Sequence, residues 1–105
     1  MLTGIRIHGT LNGISSEAYD ALKDFLNFDE VVYENGTITL EHQRYYFELE
    51  DFLDRAADVM EPGCRGYVDQ IDNDAWEMTR YVLEKGRVKS RTISLNEVLE
   101  RYQYE

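Results

Sequence analysis

The chain has 105 residues, 43% of them apolar and only one a proline, and it carries 21 acidic against 11 basic residues for a net charge of −10. That length and apolar content suffice to bury a core as a single domain over residues 1–105, and they exclude disorder on composition. Apolar runs of only a few residues exclude a membrane-spanning helix, and so acidic a surface disfavours nucleic acid and anionic membranes while attracting basic partners.

The charge is unevenly spread. Residues 1–63 hold 13 acids and 4 bases, net −9, and residues 64–105 hold 8 acids and 7 bases, net −1. Cys64 is the only cysteine, which excludes an internal disulfide. The opening Met-Leu-Thr-Gly-Ile-Arg lacks the basic-then-apolar order of a secretory signal, so a reducing, cytoplasmic setting is the expectation.

Gly4 to Leu11 alternates Ile5 and Ile7 against Arg6 and His8, which predicts a first strand, with Gly9 marking a bulge. After the Asn12-Gly13 turn, Ser15 is placed to cap a helix whose stripe is Ala18, Ala21, Leu22, Phe25 and Leu26. Glu30 to Leu40 reads as a hairpin about Asn35-Gly36, the preferred pair for a type I′ turn. Counting back from that turn pairs Tyr33 with Ile38 and Val31 with Leu40 on one face. His42-Gln43 is expected to turn the chain again into a short third strand, Tyr45 to Phe47.

Leu49, Phe52, Leu53, Ala56, Ala57 and Met60 recur at helical spacing, and Pro62-Gly63 ends that helix. Its outer face carries Glu50, Asp51, Asp54, Asp58 and Glu61, with Arg55 as the only base. Arg65 to Ile71 predicts a strand, Asp72-Asn73-Asp74 an Asx-type turn, and Ala75 to Leu83 a longer strand.

The next turn, Glu84-Lys85-Gly86, allows two registers. A two-residue loop puts Arg80 directly across from Arg91, and like charges facing each other are unfavourable. The three-residue loop is therefore expected. It places Trp76, Met78, Val82 and Val88 on one face, with Arg80 among them in need of a partner. It places Glu77, Thr79 and Tyr81 on the other, opposite Arg87, Lys89 and Arg91. Ser94 and Glu97 then form a capping box for a third helix with the stripe Leu95, Val98, Leu99 and Tyr102.

Phe47–Arg55 lies over Ile93–Arg101 with Leu49, Leu53 and Arg55 matching Leu95, Leu99 and Arg101, each segment preceded by a hairpin. A unit used twice is one reading, and convergence of capped amphipathic helices is the other. Either way the fold expected is α+β: a mostly antiparallel sheet built from two meanders, with three helices packed on it in the order β-α-βββ-α-βββ-α.

Chemistry is sparsely marked. His8, His42 and Cys64 lack metal-ligand spacing, and Asp69, Asp72 and Asp74 lack the EF-hand pattern, so no metal and no cofactor is expected. No nucleophile elbow or phosphate-binding glycine loop is present. Two surfaces remain. The first is the acidic face Glu50, Asp51, Asp54, Asp58 and Glu61, with carboxylates about 5–6 Å apart along a helix, close to the spacing of phosphates on a strand. The second is the strip Tyr81, Arg87, Lys89 and Arg91, which could hold single-stranded nucleic acid or dock on an acidic face of a second copy.

The function expected is a non-enzymatic inhibitor or interaction module whose acidic face engages a basic site on a protein partner. In type (small, acidic, α+β, without a catalytic motif) the chain resembles phage- or mobile-element-borne inhibitors such as anti-CRISPR and antirestriction DNA mimics. That resemblance implies that the partner's basic site is one that binds nucleic acid. The alternatives are a small-molecule-binding or enzymatic domain with a pocket between sheet and helices, and a self-assembling structural protein or homodimer.

Overall fold

The computed structural model describes residues 4–44 and 48–95. In chain order these form β1 (Ile5–Leu11), α1 (Ser16–Leu22) running into a 3-10 turn (Lys23–Phe25), β2 (Glu30–Glu34), β3 (Thr37–Arg44), α2 (Glu50–Val59), β4 (Gly66–Asp72), β5 (Glu77–Glu84) and β6 (Arg87–Ser94). All six strands join one antiparallel sheet in the order β2-β3-β1-β4-β5-β6. The α+β class with an antiparallel sheet is as expected, and two α-helices rather than three lie among the described residues. The third, beyond Leu95, and the strand expected at 45–47 lie outside them.

The first strand is the centre of the sheet. β1 pairs with β3 on one side and β4 on the other, so it joins the β2–β3 hairpin to the β4–β5–β6 meander. The expected first meander is thus a two-stranded hairpin among the described residues. His42 and Gln43, expected in a turn, continue β3 opposite Ile7 and Arg6. The His42 imidazole is buried, and its Nδ1 accepts the Asp29 backbone N–H at 3.0 Å.

Gly9 marks no bulge, since its strand pairs without interruption on both sides. It is needed for close approach: a Cβ there would sit 2.7 Å from the Tyr67 carbonyl oxygen and 2.9 Å from Val68 Cγ2.

Side chains alternate across the sheet. One face buries Ile7, Leu11, Ile38, Leu40, Val68 and Leu83 against Ala18 and Leu22 of α1 and Phe52, Leu53, Ala56 and Ala57 of α2. The cap at Ser15 forms as expected, its hydroxyl accepting the Ala18 N–H at 3.1 Å. Asn35 and Gly36 both adopt positive φ, and the hairpin register pairs Tyr33 with Ile38 and Val31 with Leu40 as read. Tyr33 stacks on Tyr19 at 4.4 Å and donates its hydroxyl to the Ile14 carbonyl at 2.7 Å, tying the hairpin to α1.

The β5–β6 register is the one argued against. Glu84 pairs with Arg87, and Arg80 lies directly across from Arg91. Arg80 has cross-strand neighbours on both sides, and β6 supplies only one of them. On its other side stands Asp69 of β4, and two of the guanidinium nitrogens, Nε and Nη2, donate to it at 2.7 Å. Discounted for the exposure of Arg80, the two charge-assisted bonds together contribute about 1–2 kcal/mol, against at most about 1 kcal/mol for a like-charged cross-strand pair.

Faces change accordingly. Met78, Arg80 and Val82 share with Lys89 and Arg91 the face that no described helix covers, hereafter the uncovered face, while Val88 faces the helices beside Leu83. Trp76 is in the turn at φ 57, not in β5. That turn is the Asx type expected, with the Asp72 carboxylate accepting the Asp74 and Ala75 N–H groups at 3.0 Å.

The β5–β6 turn also closes the end of α2. Gly86 N–H donates to the Ala57 carbonyl at 2.9 Å and the Lys85 ammonium to that of Asp58, satisfying carbonyls that a helix terminus leaves open.

Candidate functional site

The acidic face of α2 follows from its helical period. With 3.6 residues per turn, Glu50, Asp51, Asp54 and Asp58 fall within about 100° of arc, opposite the buried stripe. All four are exposed. The described residues show no ion pair to any of them.

The five expected residues divide in space. Asp51, Asp54 and Asp58 line one open groove of about 380 Å³ with Phe25 and Arg55. The Arg55 guanidinium stands over the Phe25 ring at 5.5 Å. The groove thus combines three carboxylates with an aromatic ring that already carries one cation. Glu50 lies toward Tyr81, whose hydroxyl is pushed above its ordinary range by burial first and by the Glu50 charge second. Glu61 follows the helix, donates its N–H to the Gly13 carbonyl at 3.0 Å, and lines a separate groove. On the neighbouring α1, Asp20 is drawn off by Lys23 at 2.9 Å, and that carboxylate raises the lysine's proton affinity.

The second groove, about 470 Å³, lies between the β1–α1 loop, the β2–β3 turn and Glu61. Its polar lining is occupied internally. Thr37 donates to Asn12 Oδ1 at 3.1 Å, Asn12 donates to the Arg65 carbonyl at 2.8 Å, and the Tyr33 and Ser15 hydroxyls hold Ile14 and Ala18. These bonds fasten loops together and do not converge on a space for a ligand.

The basic strip is split by the register. Arg87, Lys89 and Arg91 stand on the uncovered sheet face with Arg80, while Tyr81 points to the helix side, half-buried beneath α2.

Sequence reasoning missed a polar cluster at the middle of the uncovered face. Asp69 is only 1% exposed although neither described helix covers it. Cross-strand neighbours enclose it: Arg80 with its two bonds, and His8 with Nε2 at 3.3 Å from Oδ2. The Arg80 guanidinium also stacks over Tyr67 at 4.8 Å, and its proton affinity is raised, chiefly by the hydrogen bond to Asp69. One signal for the cluster was in the sequence: Arg80, read onto an apolar face, required a partner, and Asp69 alternates with Tyr67 and Ile71 on the preceding strand.

Among the described residues no three His, Cys, Asp or Glu side chains gather as a metal-ligating group, and no helix is long and apolar enough to cross a membrane. Comparison of the chain with protein-family models, with curated proteins and with solved structures finds no match in any of the three.

Proposed function

We propose that this chain is a non-enzymatic binding protein whose α2 face takes up basic side chains of a protein partner, with Asp51, Asp54 and Asp58 as the contacting carboxylates. The observation that carries the reading is the groove itself: three unpaired carboxylates around one exposed-edge aromatic ring, Phe25, over which Arg55 already stands. An arginine or lysine arriving there meets fixed negative charge beside a ring that already holds one guanidinium. Repeated like charge along a helix also costs stability, so the stripe opposes folding and favours binding. Carboxylate spacing near that of strand phosphates favours a partner site that ordinarily holds nucleic acid.

The test is calorimetric titration of an arginine-rich peptide into the wild type and into a variant with Asp51→Lys, Asp54→Lys and Asp58→Lys. Affinity should fall about tenfold or more both on charge reversal and between low and moderate salt, with circular dichroism unchanged. Equal binding by the folded variant, or binding indifferent to salt, removes the reading.

A further inference from the structure

The uncovered face of the sheet carries a charge pattern that the acidic helices do not share. Across its middle, one transverse row reads Glu30 (β2), Glu41 (β3), His8 (β1), Asp69 (β4), Arg80 (β5) and Arg91 (β6). Glu30 faces Glu41 at one edge and Arg80 faces Arg91 at the other, two like-charged cross-strand pairs, each unfavourable by itself. Asp69 offsets Arg80 and His8 stands across from Glu41, but the exposed Arg91 and Glu30 have no such neighbour among the described residues of the sheet. Edge strand β2 also presents Glu34, and edge strand β6 also presents Arg87 and Lys89. The β2–β3–β1 half of the face is therefore net negative, with Arg6 as its one arginine, and the β4–β5–β6 half net positive, with Asp69 and Glu84 as its acids. Apolar side chains lie among the charges, Val32 and Tyr67 being 52% and 37% exposed.

We infer that this face docks against the same face of a second copy of the chain, about a twofold axis that passes between β1 and β4 within about 15° of the strand direction. The sheet has an even number of strands, so that axis sets β2 over β6, β3 over β5 and β1 over β4 of the second copy. The outer members of the row then meet their complements. Glu30 lies over Arg91 and Glu41 over Arg80, and each contact occurs twice, as an isologous interface requires, with the internally paired His8 and Asp69 flanking the axis.

Packed sheets are rotated by about 30°. The three bases spread along β6 keep an opposite charge within reach of β2 after that rotation. The area is sufficient: strands about 25 Å long, six of them about 4.8 Å apart, give about 650 Å² per copy. The total of about 1,300 Å² lies within the range of specific interfaces. The net charge does not oppose the contact, because the surplus carboxylates of α1 and α2 stay on the two outer surfaces of the pair, farthest from each other. The α2 grooves remain open in the dimer, so this inference stands apart from the binding function proposed for them.

Sedimentation velocity on the full chain, over a concentration series at low salt, tests it. The wild type should dimerise. Glu30→Lys with Glu34→Lys, and separately Lys89→Glu with Arg91→Glu, should each weaken dimerisation about tenfold or more, since each sets like charge on β2 over like charge on β6. Mixing the two variants should restore a heterodimer, because each then supplies the charge that the other lacks. All four positions are exposed, and recovery on mixing shows that both variants are folded. A wild type that stays monomeric, a dimer that survives in both variants, or variants that fail to associate on mixing would each overturn the inference.

Discussion

Removing Arg80 should cost the protein more than removing Asp69, although the two share the same pair of hydrogen bonds. The reason is unequal burial: the Asp69 side chain is 2% exposed and that of Arg80 51%. Arg80→Met leaves a buried carboxylate with His8 alone for company. Breaking a buried ion pair by deleting one partner costs about 3–5 kcal/mol, and exposure of the arginine places this case near about 3 kcal/mol. Asp69→Asn, by contrast, releases a guanidinium that can turn to water. Its cost is about 1–2 kcal/mol, from the lost charge-assisted bonds and the unrelieved Arg80–Arg91 opposition. Replacing both, with Asp69→Leu and Arg80→Met, should return most of the loss, since buried ion pairs are often matched by apolar residues. Urea unfolding followed by circular dichroism reads these differences as midpoint shifts at constant slope. On heating, Arg80→Met should melt at least about 12 °C below wild type for a domain of this size. An Asp69→Asn variant as unstable as Arg80→Met, or losses below about 0.5 kcal/mol for both, would refute the reasoning.

Further outcomes follow from other parts of the molecule. Gly9→Ala should destabilise by about 1–3 kcal/mol, because the added carbon meets the β4 backbone rather than a movable side chain; an unchanged urea midpoint would contradict the close approach. Asp54→Asn should raise stability by about 0.5 kcal/mol while weakening peptide binding, as it relieves repulsion with Asp51 and Asp58 at positions i−3 and i+4. Tyr81 has a folded proton affinity raised above the unfolded one, so its contribution is intact below pH about 10 and is lost as pH rises through the folded value. Tyr81→Phe should therefore flatten the fall in melting temperature above that pH, and an identical alkaline profile would show that the tyrosine does not drive it.

What could be read in the sequence was what neighbouring residues decide among themselves. Asn35-Gly36 set its turn and register, Ser15 capped α1, and the apolar stripe of α2 faced inward, because each depends on contacts within a few positions. What could not be read depends on strands distant in the chain. Nothing local in Ile5–Leu11 says that it separates two hairpins, and β3 was read as ending early because its continuation is justified only by pairing with β1. The β5–β6 register failed for the same reason: the residue that neutralises Arg80 comes from β4. The acidic face was legible as a stripe, but its division into a groove of three carboxylates and two outliers was not. Phe25 and the β1–α1 loop, which make that division, arrive from other elements.

The central position of β1 has a consequence for how the protein is assembled and taken apart. Among the described residues the β2–β3 hairpin and the β4–β6 meander share a sheet only through Ile5–Leu11, so β1 is the keystone of two units otherwise complete in their own pairing. A chain beginning at residue 12 retains both units with an empty slot between them, and a synthetic peptide of residues 1–12 has the register to fill it from either side. The fold is thus a natural candidate for splitting into two fragments whose reunion can be monitored. It also implies that a tag pulling on the N-terminus would draw out the strand on which the rest of the sheet depends.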